Sequence, residues 1–164
     1  MKQPLVLVGP MGVGKTTVGK KLAKELNTAF TDTDKIIASK HGAISAVFER
    51  LGEPGFREIE SAVLAQCLEA QGVVATGGGV VTTESNRKLL KSHSVIYLST
   101  DGKHIASRIS TRNRPLLSGG AESWSSIYES RKPLYLEVAT HEVDTSGKSL
   151  AAIVSEISKL VGQK

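Results

Sequence analysis

The run Gly9-Pro-Met-Gly-Val-Gly14-Lys15-Thr16 completes the pattern G-x-x-x-x-G-K-[ST]. Glycines at 9, 12 and 14 let the backbone turn tightly and aim successive N–H groups at phosphate oxygens, and a helix opening at Lys15 would add its positive end. Lys15 brings a mobile cation for β and γ phosphates, and the Thr16 hydroxyl is placed to ligate Mg²⁺. The ligand this predicts is a nucleoside triphosphate, held along Gly12, Val13, Gly14, Lys15, Thr16 and Thr17. A dinucleotide fingerprint fails, because Thr17 stands where its third glycine should be. An ordinary Gly-rich turn is the bland alternative, and it loses weight to the strand-like run before the loop and the helix-like one after it.

Asp32 and Asp34 stand two residues apart after a short apolar stretch, so in extended chain both carboxylates would point the same way at one edge of a sheet. One could hold Mg²⁺ through water while the other takes a proton from an attacking hydroxyl. Equally, two acids could simply cap a helix starting near Asp34. A phosphate loop by itself does not separate a switch GTPase, a motor ATPase and a small-molecule kinase. The chain has no N-K-x-D guanine-reading motif, and its 164 residues leave no room for the surfaces of a large motor. Both observations favour a kinase.

The elements that must position these groups follow from the hydrophobic pattern. Apolar runs read as buried strands at Leu5 to Val8, Ala29 to Thr31, Val73 to Thr76, Val95 to Ser99 and Glu142 to Thr145. Between them, helical spacing is predicted over 15–26, 34–40, 44–51, 54–71, 84–91, 102–110, 124–136 and 150–161. Alternating strands and helices predict an α/β fold, three-layered α/β/α, with a central five-stranded parallel sheet. The stretch 113–123 holds Pro115, Gly119 and Gly120 among polar residues and is expected to be a mobile surface loop. One domain over 1–164 is the expectation from length.

Composition narrows the partners. The net charge is +5, and between Asp101 and Tyr135 six basic residues (Lys103, Arg108, Arg112, Arg114, Arg131 and Lys132) face three acidic ones. Aromatics are only 4%, little material for base-stacking platforms, so small anions are a better match for this charge than nucleic acid. The uncharged stretches are too short for a bilayer span and no export signal is legible, so a cytosolic chain with no membrane partner is expected. The single cysteine, Cys67, agrees with a reducing compartment. Histidines at 41, 93, 104 and 141 have no metal-ligand spacing.

Beyond the loop and the D-x-D of Asp32 and Asp34, the chain carries Gly52-Glu-Pro-Gly-Phe56-Arg57-Glu-Ile-Glu60, the triple glycine Gly77-Gly78-Gly79, Arg114-Pro115-Leu116-Leu117 and Arg131-Lys-Pro133-Leu-Tyr135. In this set and order it resembles shikimate kinase, a small member of the nucleoside monophosphate kinase-like group. The resemblance implies ATP-dependent phosphorylation of the 3-hydroxyl of shikimate in aromatic amino-acid biosynthesis, with Mg²⁺ held at Thr16 and Asp32. It implies that Asp34 binds the ring hydroxyls and acts as base, that Arg57 and Arg131 grip the carboxylate, and that Gly77, Gly78 and Gly79 border the substrate. A planar guanidinium suits a carboxylate, which it can hold bidentately. Phe48 and Phe56 would wall the carbocycle, or pack as plain core, and Arg57 could instead pair with Glu60 one turn on. A lid over about 110–124 would bring Arg114 onto the β and γ phosphates. Arg108, or Arg112 in its place, would stack on adenine, and Lys148 would come from a second adenine-contacting loop. The substrate-binding helical part would span about 33–61.

Three rivals remain at this stage. A gluconate kinase shares the phosphate loop but is disfavoured by Phe56-Arg57 and the triple glycine. A nucleoside monophosphate kinase needs a base-reading site that is not legible. A non-catalytic nucleic-acid-binding module, suggested by the sequence pI of 9.4, would show strong salt-dependent binding. A monomer is expected from size and charge.

Overall fold

Leu5, Val6, Leu7 and Val8 are all buried, because the strand they form, β1 (Leu5–Val8), is covered on both faces. Side chains alternate across a strand, so Leu5 and Leu7 join one core while Val6 and Val8 join another on the opposite face. The computed structural model describes residues 3–103, 105 and 121–162. Its other elements are α1 (Lys15–Glu25), β2 (Phe30–Asp32), α2 (Thr33–His41), α3 (Ile44–Cys67), β3 (Val73–Ala75), α4 (Glu84–Leu90), β4 (Ser94–Ser99), α5 (Ala121–Val138), β5 (His141–Asp144) and α6 (Leu150–Gly162).

The strands form one parallel five-stranded sheet in the order β2-β3-β1-β4-β5. Helices α1 and α6 supply Val18, Leu22, Ile153, Val154 and Ile157 to the Leu5 and Leu7 face, and α3, α4 and α5 cover the other with Leu64, Leu90, Tyr128 and Tyr135. The three-layer α/β/α expectation holds. After β1 the chain runs out to β2 and returns through β3, then crosses to β4 on the far side of β1. That reversal opens a crevice beyond the carboxyl ends of β1 and β3, where open α/β sheets bind ligands.

Several boundaries differ from the sequence reading. Strand β2 ends on Asp32 and α2 begins at Thr33, so Asp34 is helical rather than extended. The two helices expected at 44–51 and 54–71 run on as α3, interrupted only at Gly52, whose φ of 69° and ψ of 178° are open to a residue without a side chain. A single 3₁₀ turn over Val80–Thr82, not read in the sequence, follows the triple glycine. Helix α5 starts at Ala121, three residues before the expected Trp124, and so includes the far end of the stretch read as lid. It also continues through Pro133, which lies on its exposed side where water can take the carbonyl left unpaired. Most of the predicted 102–110 helix and of the lid, with Arg108, Arg112 and Arg114, lies outside the described residues.

Candidate active site

The phosphate loop connects β1 to α1 through Gly9, Gly12 and Gly14, all at positive φ (152°, 81° and 104°). Gly14 caps α1 and its carbonyl accepts from the Val18 N–H at 2.8 Å. Lys15 is buried, and its Nζ donates to the carbonyls of Gly9 at 2.6 Å and Pro10 at 2.9 Å, which folds the ammonium over its own loop. The loop opens on a cavity of about 280 Å³ bounded by Met11, Gly12, Gly14, Lys15, Thr16 and Thr17, by Asp32 and Asp34, and by Thr76, Gly77 and Gly78 beyond β3. Three chain segments far apart in sequence thus meet at the crevice. Val13 contributes only backbone, since its side chain lies in the core with Leu5 and Leu7.

Asp32 caps α2 as one reading expected, and its second oxygen meets the other residue read as a cation ligand. Its Oδ1 accepts from the N–H groups of Asp34 at 3.0 Å and Lys35 at 3.3 Å as the cap of α2, while its Oδ2 accepts from Thr16 Oγ1 at 2.7 Å. A hydroxyl and a carboxylate held this close are hard oxygen donors, the set that fits Mg²⁺ completed by phosphate and water. Among the described residues no three His, Cys, Asp or Glu side chains cluster to hold an ion, so any cation here depends on those further ligands. Asp34 reaches the cavity for a different reason than strand alternation. It sits in the first turn of α2, which starts at the edge of the cavity.

Gly77 passes between two carboxylates. A Cβ there would come 2.7 Å from Asp34 Oδ1 and 3.0 Å from Glu60 Oε2, so only glycine lets both approach. Glu60 is 1% exposed on α3. Burial pushes its pKa up, Arg57 opposes that rise, Asp34 adds to it, and Arg131 opposes it more weakly. Arg57 Nη1 donates to Glu60 Oε1 at 2.9 Å, and its Nε and Nη2 donate to Glu53 Oε2 at 3.2 and 3.1 Å. The fork is therefore held by two carboxylates and lies against Gly79, where an added Cβ would come 2.5 Å from Nη1. Its Cζ stands 5.2 Å from the Phe56 ring centroid, and Phe56 packs on Phe48 at 4.7 Å. Phe56 is core, with Phe48 half-buried beside it, so core packing and proximity to Arg57 hold together.

Arg131 is buried on α5, near enough to Glu60 and Tyr135 to bias both. Lys148 is not brought to the cavity. It pairs with Glu156 of α6 at 2.9 Å, because the β5–α6 loop folds toward that helix. The same loop does adjoin the start of the undescribed segment, where the Asp101 N–H donates to Ser146 Oγ at 2.8 Å.

Two contacts were missed. Trp124 Nε1 donates to the Met11 carbonyl at 2.7 Å, and Tyr135 Oη donates to the Gly78 carbonyl at 2.5 Å. Their only signal in sequence was helical spacing with Arg131, since 124, 131 and 135 fall on one helix face.

Comparisons with known proteins identify the family. A family model described as shikimate kinase matches residues 11–161. A shikimate kinase of Corynebacterium efficiens is 41% identical over 162 residues, 96% of each chain. The solved shikimate kinase of Acinetobacter baumannii in complex with shikimate superposes with a TM-score of 0.92 at 38% identity, covering 97% of this chain and 92% of that one. A gluconokinase structure from Sinorhizobium meliloti, at 18% identity and a TM-score of 0.63 over 98% and 96% of the two chains, shares the fold alone.

Proposed function

Because the chain belongs to the shikimate kinase family, we propose that it moves the γ-phosphoryl group of ATP to the 3-hydroxyl of shikimate through the residues converging on this cavity. It is an ATP-dependent kinase that phosphorylates shikimate. The observation that carries the site reading is that one cavity is bordered both by Lys15 and Thr16 of the phosphate loop and by Asp34 and Gly78.

The loop N–H groups and Lys15 bind the triphosphate, which requires Lys15 to exchange its loop carbonyls for phosphate oxygens. Arg57 and Arg131 hold the acceptor carboxylate. Asp34 hydrogen-bonds the ring hydroxyls and takes the proton of the 3-hydroxyl as that oxygen bonds to the γ-phosphorus and the bond to the bridging oxygen of ADP breaks. Mg²⁺, at Thr16 and Asp32, would neutralise charge on the phosphates. Arg114 joins the phosphate clamp on its sequence motif, and Arg108 or Arg112 takes adenine on the same ground. A cytoplasmic monomer completes the proposal, and sedimentation at micromolar concentration tests its mass; among the described residues no helix is long and apolar enough to cross a membrane.

The test is ADP release from MgATP with shikimate, gluconate, a nucleoside monophosphate or no acceptor, with Lys15→Ala as blank. Release confined to shikimate is expected. Equal release with another acceptor would discard the acceptor site and leave the phosphate loop standing.

A further inference from the structure

Trp124, Tyr128, Arg131 and Tyr135 recur at three- and four-residue spacing along α5 and are all buried on its sheet-facing side. Tyr135 has no exposed surface, and its hydroxyl reaches across 57 residues of chain to the Gly78 carbonyl at 2.5 Å. Its ring stacks on Tyr97, with centroids 5.1 Å apart and planes 25° from parallel, so packing fixes where the hydroxyl can be. Burial raises the pKa of this phenol above its ordinary value, which keeps the donor proton in place. The Arg131 guanidinium, one turn earlier, opposes that rise by charge and hydrogen bonding. Tyr135 thus bonds the triple glycine and stands one helical turn from buried Arg131, the two parts of the proposed acceptor site.

Three successive glycines have the least conformational restraint of any part of this site. A peptide group is planar and trans, so holding the Gly78 carbonyl also fixes the opposite direction of the Gly79 N–H. Binding geometry kept before the ligand arrives avoids an ordering cost when it does.

We propose that Tyr135 is a positioning residue for the acceptor: its buried phenol holds the Gly77–Gly79 turn and the Arg131 guanidinium in one frame, so that the acceptor meets groups already in place. This rests on the reading of Gly78 and Arg131 as acceptor contacts.

Tyr135→Phe keeps the ring and its stacking and removes only the hydroxyl. Loss of one buried hydrogen bond predicts a shikimate KM raised about five- to tenfold, with the ATP KM within about twofold of wild type. Tyr97→Phe is the matched control, because it removes a hydroxyl bonded to Tyr128 at 2.6 Å in the same aromatic stack but away from Gly78. Its shikimate KM should stay at the wild-type value. An unchanged shikimate KM in Tyr135→Phe overturns the proposal, as does an equal rise in Tyr97→Phe or a parallel rise in the ATP KM. Arg131→Ala separates the two levels. If it raises the shikimate KM while Tyr135→Phe does not, the positioning role fails alone; if it leaves that KM unchanged, the acceptor reading falls and the positioning role with it.

Discussion

Thr16 Oγ1 donates to Asp32 Oδ2 at 2.7 Å, tying the first turn of α1 to the end of β2. The same carboxylate caps α2 through its other oxygen, so the proposed cation ligands and the start of the Asp34 helix share one anchor. Thr16→Val removes the hydroxyl without touching the cap. It should lower turnover about 10- to 100-fold at fixed Mg²⁺ and leave the melting temperature near wild type. Asp32→Ala should add a loss of about 1 kcal/mol in unfolding free energy from the missing cap, which Asp32→Asn should spare. Turnover in Thr16→Val that matches wild type across a Mg²⁺ titration would remove Thr16 from the cation site.

Asp34 borders the phosphate loop's cavity and comes within 2.7 Å of where a Cβ on Gly77 would stand. Asp34→Asn keeps size and hydrogen bonding but cannot take a proton. It should bind ATP with wild-type affinity by calorimetry while turnover falls about 10²- to 10⁴-fold. Turnover within a few-fold of wild type would take the base role from Asp34.

The phosphate loop was legible because its chemistry is local: eight consecutive residues specify turn, donors and cation. The place of Asp34 beside the phosphate loop was legible but its geometry was not, since a three-residue strand ending on Asp32 gives no sequence warning that the next residue is already helical. The pairing of Glu60 with Arg57 was legible as an alternative but its burial was not, because that depends on α3 running on past Gly52 to pack against β3. The Tyr135 to Gly78 bond joins elements 57 residues apart, and nothing in local pattern encodes which carbonyl a buried phenol will meet. The ion pair of Lys148 with Glu156 was not legible for a similar reason, because it is set by how the β5–α6 loop folds.

Gly79 carries the next prediction. Its φ of −96° is open to alanine, yet a Cβ would come 2.5 Å from Arg57 Nη1. The guanidinium is the far end of a flexible side chain and can move aside, so Gly79→Ala should cost at most about 1 kcal/mol of stability. If Arg57 grips the acceptor carboxylate as proposed, the displaced fork loses it, and the shikimate KM should rise about tenfold or more with the ATP KM unchanged. A variant that keeps the wild-type shikimate KM would argue that Arg57 does not touch the acceptor.

Glu60 gives a pH dependence with a defined sign. Its folded pKa is raised above the ordinary 4.5, first by burial and against the pull of Arg57. The native state then holds this proton more tightly than the unfolded chain, so the stabilisation is complete below pH 4.5 and is lost as pH rises through the raised folded value. Glu60→Gln removes the titration and keeps an acceptor for Arg57. Melting temperatures of wild type minus Glu60→Gln should therefore fall as pH climbs from 4.5 toward neutrality. A difference that grows over that range would mean the Arg57 pairing outweighs burial.

Trp124 is the chain's single tryptophan, and its indole donates to the carbonyl of Met11 within the phosphate loop. It is 5% exposed and tilted against Tyr128 at 5.2 Å, so its emission should be sensitive to small displacements of that loop. A triphosphate that takes up the loop N–H groups must adjust the Met11 peptide, and titration with MgATP should change the emission with saturation at the nucleotide affinity. The same titration of Lys15→Ala should need far more nucleotide, since the loop loses its cation. Trp124→Phe should abolish the signal and weaken ATP binding about threefold, the scale of one hydrogen bond. Emission that ignores MgATP while calorimetry records binding would mean that the Met11 carbonyl stays fixed as the loop fills, and that α5 anchors the loop without sensing it.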